Sequence, residues 1–246
     1  MIPKVIHYCW FGRNPLPPLA IKCIESWKKY LPDYEIKEWN EDNFDVEIIP
    51  YTKEAYEAKK YAFVSDYARF WILYKYGGLY FDTDVEVIKA MNDIIALGAF
   101  MGCEIEAKEG ATANAVAPGL GLGCNPGLPF YKEMLNIYKD IHFINNDKTL
   151  NLKTIVEYTT ELLIRHGLNT TNKIQKVADI WIYPKEYFCP VEHETGKIII
   201  TQNTYTIHHY NASWVSPAVR LRKLIIRKLG PKIVNKIRVI KHFLIK

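Results

Sequence analysis

Two aspartates separated by one residue are the side chains that most directly suggest chemistry in this chain. Asp82 and Asp84 follow a short apolar run at residues 79–81. In an extended backbone, side chains two positions apart lie on the same face, so both carboxylates can point at one cation. A hard divalent cation takes oxygen ligands and can hold phosphate oxygens in the same shell. The spacing therefore predicts a divalent metal site that also holds phosphate.

The common glycine-rich phosphate loops are absent. The sequence contains neither G-x-G-x-x-G nor G-x-x-x-x-G-K-[ST], the patterns whose backbone N–H groups cradle phosphates. A metal at the aspartates must then do that work. His208 and His209 offer a nitrogen ligand, because a neutral imidazole can complete the shell of such an ion. Adjacent residues of a strand point to opposite faces, so only one of the two should face the metal.

A pair of opposite charges interrupts an apolar helix just before the aspartates. Asp66 and Arg69 are three positions apart and share a face with Ala62 and Leu73, at the spacing typical of a helix. The pair is either an internal ion pair or a polar group that faces a bound substrate. The sequence pattern alone leaves both interpretations open.

The elements that position these residues have clear signals. Gly77-Gly78 ends the helix, because glycine adopts the left-handed C-terminal turn without a Cβ penalty, and residues 79–81 predict a buried strand. Upstream, residues 2–12 predict a first strand, residues 19–30 a helix and residues 34–39 a second strand. Strand, helix and strand in this order begin a nucleotide-binding α/β sheet.

Downstream segments extend this pattern. We expect residues 40–60 to form a loop and a short helix. Residues 104–123 are rich in Gly and Ala and predict a flexible loop over the site, where acceptor-binding residues would lie. The other predicted elements are sheet at residues 85–88, 94–103, 179–184 and 197–200, helices at residues 128–144 and 153–166, and a strand that ends at the histidine pair.

The central stretch resembles the main motif of the DXD glycosyltransferases of family 32. That family comprises sugar-nucleotide transferases related to capsular-polysaccharide enzymes, fungal α-mannosyltransferases and toxin glucosyltransferase domains. Residues 2–12 resemble its opening segment, I-P-K-x-I-H-x-x-W-x-G, and a histidine followed by Ser213-Trp214 resembles its closing motif. The matching residues of the central motif are Ser65, Asp66, Arg69, Gly77, Gly78, Tyr80, Asp82 and Asp84.

The resemblance implies a fold and an activity. The fold would be a GT-A type α/β domain over residues 1–216, with a mixed, mainly parallel central sheet flanked by helices. The activity would be that of a retaining hexosyltransferase in polysaccharide biosynthesis, which uses a nucleotide-sugar donor, with a UDP-sugar favoured, and a saccharide or lipid-linked oligosaccharide acceptor. Mn²⁺ or Mg²⁺ would be held by Asp84 and His208, with Asp82 reaching the ribose or a metal-bound water. The motif register selects His208, and His209 is the alternative.

The same resemblance assigns roles to the remaining candidates. Trp10, with Tyr8 on the same strand, would bind the nucleotide by stacking on the base, which contributes about 1–3 kcal/mol; the alternative is a tryptophan buried at a strand end. Asp66 would accept hydrogen bonds from hydroxyls of the donor sugar, and Arg69 would meet sugar or diphosphate oxygens. The other predicted donor contacts are Tyr80, Asn114, Ser213 and Trp214.

Charge is unevenly distributed along the chain. The sequence has 32 Lys and Arg against 27 Asp and Glu, a net charge of +5. Residues 217–246 hold ten of the basic residues and no acidic one, so the remainder has a net charge of −5. This tail is amphipathic on both sides of Gly230-Pro231, and predicts either a segment that binds an anionic membrane surface or a packed C-terminal helix. Nucleic-acid binding fits less well, because the basic residues are confined to the tail and no nucleic-acid motif accompanies them.

Composition also bears on compartment and on rival functions. Five cysteines without a C-x-x-C pattern favour a reducing compartment, and neither a signal peptide nor a spanning segment is predicted. We therefore expect a cytoplasmic protein, peripheral at the inner membrane face. A metal-dependent phosphoester or nucleotide-sugar hydrolase would be expected to have more acidic ligands and would leave Trp10 and Ser213-Trp214 unexplained. A non-catalytic sugar-binding module would not need an intact metal site, and a membrane-surface scaffold would explain the tail alone.

Overall fold

The chain opens with a β-α-β unit in the computed structural model, which describes residues 1–106, 114–169, 171–192 and 195–210. Strand β1 (Val5–Cys9) is followed by helix α1 (Pro18–Tyr30) and strand β2 (Glu35–Trp39), close to the predicted positions. Proline begins α1 because its fixed φ suits the first helical position, where no N–H partner is lost. The helix buries Ala20, Cys23, Ile24 and Trp27, at the three- and four-residue spacing that gives one apolar face.

Helix α3 (Tyr61–Tyr76) follows a short helix α2 (Pro50–Glu57) and crosses the middle of the molecule. It ends where predicted, because Gly77 and Gly78 have φ of +63° and +98°, a region that favours glycine. A Cβ on Gly78 would also lie 2.6 Å from the carbonyl oxygen of Val5. The two glycines therefore turn the chain directly from the helix into strand β3 (Gly78–Tyr80), which lies parallel to β1.

The remaining elements complete the sheet and its helical layers. They are β4 (Val85–Val87), α4 (Asn92–Ala96), β5 (Phe100–Ile105), β6 (Ala115–Val116), a 3₁₀ turn (Pro118–Leu120), β7 (Leu122–Cys124), α5 (Pro129–Lys139), α6 (Ile155–Arg165), β8 (Gln175–Val177), β9 (Ile180–Tyr183), α7 (Lys185–Phe188) and β10 (Thr206–His208).

The central sheet has the strand order β2-β1-β3-β7-β5-β9-β8, with β6 paired to β5. Within the described ranges, β1, β2, β3, β5 and β9 run in one direction, and β6, β7 and β8 run in the other. The predicted α/β class, with a mixed and mainly parallel sheet flanked by helices, is confirmed. A separate two-stranded ribbon pairs β10 antiparallel with β4.

Hydrophobic cores lie on both faces of the sheet. Successive residues of a strand point to opposite faces, and in β3 Leu79 joins the core under α1 while Tyr80 joins the core under α3, α5 and α6. Trp27 is fully buried in the first core and Phe70 in the second. Burial of such large side chains contributes about 1.5–3 kcal/mol each, and the sheet between them is held rigidly.

Three predictions about secondary structure are wrong. Residues 92–96 form helix α4 rather than sheet, since a short apolar run does not distinguish the two. Residues 197–200 form no strand; Ile198–Ile200 are 42–59% exposed, and Ile198 makes only an isolated bridge to Val191. Strand-forming side chains without a neighbouring strand do not make a ladder.

The third wrong prediction concerns residues 114–123 of the flexible loop expected at residues 104–123; residues 107–113 of that loop lie outside the described residues. The described residues 114–123 are mostly buried and contain β6, the 3₁₀ turn and the start of β7. The glycines serve close packing: a Cβ on Gly123 would collide with the ring of Phe100. A glycine in the sequence can indicate a strand position where neighbouring groups approach closely, and not only a loop.

No helix of the described ranges is both long enough and apolar enough to cross a membrane.

Candidate active site at the end of strand β3

The two aspartates lie on a tight turn between β3 and β4. The Asp82 N–H donates to the carbonyl oxygen of Gly119 at 3.2 Å, and the Val85 N–H donates to the carbonyl oxygen of Asp82 at 3.0 Å. The backbone therefore turns at Thr83 and Asp84 instead of remaining extended, as the prediction of a shared face assumed. As a result the two carboxylates have different partners.

Asp82 belongs to a buried network around Arg69. The Arg69 Nη2 lies 2.9 Å from Asp66 Oδ1 and 3.2 Å from Asp82 Oδ1, and Arg69 Nε donates to the carbonyl oxygen of Ser65 at 3.2 Å. The Tyr80 hydroxyl donates to Asp82 Oδ1 at 3.1 Å, and the guanidinium lies over the Tyr80 ring. Four predicted site residues, Asp66, Arg69, Tyr80 and Asp82, are thus brought together.

Burial and charge act against each other in this network. Burial raises the pKa of Asp66 to about 7, against the lowering effect of the Arg69 cation. Burial lowers the pKa of Arg69, but Asp82 and the other groups around it outweigh this, and the pKa stays above its ordinary value. The Asp82 side chain is 28% exposed while that of Arg69 is 4% exposed. Asp82 is therefore the end of the network that a ligand reaches from solvent.

Asp84 faces His208, a residue that is more than a hundred positions later in the sequence. The β4–β10 ribbon sets His208 opposite Val85, and the His208 Nε2 lies 3.0 Å from Asp84 Oδ1. The His209 ring points elsewhere and lies 2.8 Å from Glu86 Oε2. The two imidazoles therefore serve two different carboxylates, as alternation along a strand requires.

The His208 imidazole is held tightly. Burial lowers the pKa of His208, but the adjacent Asp84 carboxylate outweighs this and raises the pKa above its ordinary value. Its Nδ1 is a buried nitrogen without a hydrogen-bond partner in the part of the chain that the structure describes. The ring therefore directs Nε2 at Asp84, while Nδ1 makes no hydrogen bond to the described residues.

Asp84 and His208 have the chemistry and the spacing for a divalent cation. Carboxylate oxygen and imidazole nitrogen suit Mn²⁺ and also Mg²⁺ in combination with phosphate. Nε2 and Oδ1 lie 3.0 Å apart in a hydrogen-bonded pair, and the same two atoms would hold a divalent cation once the imidazole is neutral. Within the described ranges, no three His, Cys, Asp or Glu side chains cluster closely enough to enclose an ion. In the part of the chain that the structure describes, Asp84 and His208 are the two residues that could hold an ion here, while Asp82 is directed at Arg69.

Three other predicted residues have structural partners. The Trp10 indole N–H donates to the carbonyl oxygen of Asn14 at 2.6 Å, and its side chain is only partly buried. The Tyr8 hydroxyl donates to Glu38 at 2.6 Å. Asn114 is 2% exposed and donates to the carbonyl oxygen of Thr171, 57 residues further on. Ser213, Trp214 and the basic tail lie outside the described residues.

Gly119 is a site residue that the sequence interpretation missed. A Cβ on this residue would overlap Asp82 Oδ2 and lie 3.2 Å from Arg69 Nη1. Backbone without a side chain therefore packs directly against the Asp82 carboxylate at this 3₁₀ turn. The only sequence signal was the glycine-rich run at residues 117–123, which we interpreted as flexibility.

Tyr210 and Glu104 were also missed. The Tyr210 ring lies against the His208 ring with centroids 4.2 Å apart, and its hydroxyl donates to Glu104 at 3.3 Å. Neither residue carries a motif, since their closeness to His208 depends on how β5 and β10 are placed.

Comparisons with known proteins find similarity to glycosyltransferases. A family model described as the glycosyltransferase sugar-binding region containing DXD motif matches residues 17–101. An uncharacterized glycosyltransferase of Acanthamoeba polyphaga mimivirus is 27% identical over 242 residues, which cover 91% of this chain and 88% of that protein. Inositol phosphoceramide mannosyltransferase 3 of Schizosaccharomyces pombe is 31% identical over 104 residues, which cover 41% of this chain and 29% of that protein.

Among solved structures, a glycosyltransferase involved in the glycosylation of the major capsid of PBCV-1 has a TM-score of 0.49 and 13% identity, and the match covers 91% of this chain and 100% of that chain. The segment matched by the family model holds Asp66, Arg69, Asp82 and Asp84, the residues that meet around the turn after β3. The chain is a glycosyltransferase, and its residues 17–101 match the sugar-binding region that contains the DXD motif.

Proposed function

We propose that this glycosyltransferase is metal-dependent and moves a hexose from a nucleotide-sugar, with a UDP-sugar favoured, to a saccharide or lipid-linked oligosaccharide acceptor in polysaccharide biosynthesis. The observation that carries the proposal is the pair Asp84–His208, 3.0 Å apart, beside the buried Arg69 network. Two candidate ligands for a cation and a fixed guanidinium, both near the C-terminal end of strand β3, suit a substrate with a diphosphate leaving group.

Different residues of the chain have different roles in the proposed transfer. When bound at Asp84 and His208, Mn²⁺ or Mg²⁺ would supply Lewis-acid stabilisation of the charge that grows on the departing diphosphate. Arg69 is pre-positioned by Ser65, Asp66 and Asp82, so its positive charge needs no reorganisation when it meets diphosphate or sugar oxygens. Asp82, at the exposed end, would accept from the ribose or a bound water.

In this proposal the residues that bind the nucleotide-sugar belong to the Arg69 network and to the region of strand β1. Asp66 accepts a hydrogen bond from Arg69 through Oδ1, and we assign it to the donor-sugar hydroxyls. Trp10 is only partly buried, which leaves part of the indole available for a nucleobase; Tyr8, Tyr80, Asn114, Ser213 and Trp214 are further donor contacts in this proposal. The family resemblance supports retention of configuration, with attack by the acceptor on the face from which the diphosphate departs and no enzymic nucleophile.

The matched yeast protein is by its name an inositol phosphoceramide mannosyltransferase. It motivates a lipid-linked acceptor and the inclusion of GDP-mannose among the donors tested. The basic tail at residues 217–246 motivates a cytoplasmic location at the inner membrane face. Each Lys or Arg near anionic lipid contributes roughly 1 kcal/mol.

The activity is tested by incubating the full chain with a panel of UDP- and GDP-sugars, with and without Mn²⁺, and measuring nucleotide release and product. We expect release that needs Mn²⁺ and falls by at least about a hundredfold in Asp84→Ala, because one ligand of the ion is lost. Glu86→Ala is the matched control, since Glu86 pairs with His209 and Lys22 and leaves Asp84 in place. Equal activity of the Asp84→Ala protein and the wild type would refute the metal role.

The panel also separates transfer from hydrolysis. A transferase releases nucleotide faster when an acceptor is added and forms a glycoside with retained configuration, as measured by NMR of the anomeric proton. Release of free sugar at a rate that no acceptor changes would favour a nucleotide-sugar hydrolase. Binding of donor without any release would favour a sugar-binding module.

Membrane association is tested with vesicles and the full chain. We expect binding to vesicles that contain phosphatidylserine or phosphatidylglycerol, weaker binding to phosphatidylcholine vesicles, and loss of binding as salt rises, because salt screens exposed charges. Removal of residues 217–246 should lower vesicle binding and leave donor hydrolysis largely unchanged. Vesicle binding that survives this deletion would contradict the role of the tail.

A further inference from the structure

Tyr210 is held in an unusual conformation beside the candidate metal ligand His208. Its φ is +49°, a left-handed value that is uncommon for a bulky residue and is maintained only when surrounding contacts impose it. The ring centroids of Tyr210 and His208 are 4.2 Å apart, with the planes inclined at 62°. The strained backbone thus places the phenol ring against the imidazole.

The phenol itself is anchored on two other elements. Its oxygen lies 2.9 Å from the Cys189 Sγ, at the end of helix α7, and 3.3 Å from Glu104 Oε2, near the end of strand β5. Cys189 is fully buried. The Tyr210 ring is therefore fixed relative to the central sheet, and not only relative to its own strand.

The orientation of the His208 ring has to be fixed by a neighbouring group if the ring is to bind a metal. A metal-binding histidine usually receives its orientation from a hydrogen bond at its other ring nitrogen. In His208 that nitrogen is Nδ1, which is buried and has no hydrogen-bond partner within the described ranges. Within the described ranges, the groups that can fix the plane of the ring are therefore Asp84 at Nε2 and the side chains packed against the ring.

We propose that Tyr210 is the positioning residue for His208: anchored by Cys189 and Glu104, its ring holds the imidazole plane so that Nε2 is directed at the Asp84 side of the metal site. The proposal rests on the metal role of Asp84 and His208 proposed above. Tyr210 acts through His208 and touches neither the metal nor the substrate.

The test measures Mn²⁺ affinity of the full chain without donor, from the electron paramagnetic resonance signal of free Mn²⁺. Tyr210→Leu removes the ring and should weaken Mn²⁺ binding about tenfold, the lower end of the range for residues that support a metal ligand. Tyr210→Phe keeps the ring but loses the two hydroxyl contacts that anchor it, so it should weaken Mn²⁺ binding by about threefold, less than Tyr210→Leu. Thermal unfolding of each variant shows whether the fold is retained.

A double-mutant cycle separates positioning from general packing. In a His208→Ala background, Tyr210→Leu should change Mn²⁺ affinity by less than about twofold, since the residue it positions is gone. An equal loss in both backgrounds would overturn the proposal.

A metal-free measurement distinguishes this proposal from the metal role itself. The imidazole ¹⁵N signals of His208 should show one ordered tautomer in the wild type, averaged signals in Tyr210→Leu, and a smaller change from the wild type in Tyr210→Phe. Unchanged His208 signals in Tyr210→Leu would overturn the positioning role. If His208→Ala itself leaves Mn²⁺ binding intact, the metal role fails, and the imidazole signals still decide whether Tyr210 positions the ring.

Discussion

At the scale of single residues, the site depends on which way each side chain is turned. Strand alternation predicted that His208 and His209 face opposite ways, and the structure places them on Asp84 and Glu86 respectively. The partner of Asp82 could not be predicted in the same way, because the chain turns after Phe81. A turn breaks the period of two on which the prediction of a shared face depended.

The two histidines make a matched pair of variants. We expect His208→Ala to weaken Mn²⁺ binding by at least about tenfold, because a direct ligand is removed, and His209→Ala to leave it within about twofold. Calorimetric titration of the full chain with Mn²⁺ measures both. The reverse order would assign the metal to His209, the alternative left open by the sequence.

At the scale of elements, segments with a clear apolar face or run were predictable, and segments whose state depends on distant neighbours were not. Helices α1 and α3 and strands β1 and β2 lie within a few residues of their predicted positions, because each carries a full apolar face or run. Residues 197–200 and 114–123 are predicted wrongly, because their state depends on distant neighbours: within the described ranges Ile198 makes only an isolated bridge to Val191, whereas Gly123 packs against Phe100. Local composition contains no information about such partners.

The 3₁₀ turn offers a test at this scale. Gly119→Ala should lower stability by about 1–3 kcal/mol and strongly reduce transfer, since the added methyl overlaps the Asp82 carboxylate and forces it or the backbone to move. Urea unfolding gives the loss in stability, and initial rates give the loss in transfer.

An Asp82→Ala background supplies the control for this substitution. With the carboxylate removed, Gly119→Ala should cost clearly less stability, because only the contact with Arg69 remains. Additive costs in the two backgrounds would show that the glycine is needed for another reason.

At the scale of the whole molecule, His7 joins three elements of the sheet and core. It is 2% exposed, its Nδ1 accepts from the Trp39 indole N–H at 3.1 Å, and its Nε2 donates to the carbonyl oxygen of Gly77 at 3.0 Å. Both bonds require the neutral imidazole. Burial, assisted by Lys37 and opposed by the Gly77 bond, lowers the pKa of His7 to about 4.

This shift makes stability depend on pH. Between pH 6.5 and pH 4 the unfolded chain binds a proton at His7 and the folded chain does not, so the free energy of unfolding falls as pH decreases. From pH 7.5 to pH 4.5 the contribution amounts to about 2–3 kcal/mol. In His7→Gln that part of the pH dependence should vanish, as measured by urea unfolding at several pH values. Parallel pH profiles of the two proteins would contradict the assignment.

The pairing of β10 with β4 means that the site can form only late in synthesis of the chain. In the described part of the chain, β10 is the last strand, and its partner β4 lies in the first half of the sequence. During synthesis on the ribosome, the seven strands of the main path can all have emerged while the Asp84 carboxylate still lacks its imidazole. A polypeptide that terminates before residue 206 contains the residues of those strands and of the Arg69 network but lacks His208, so incomplete translation products are left without the proposed metal centre.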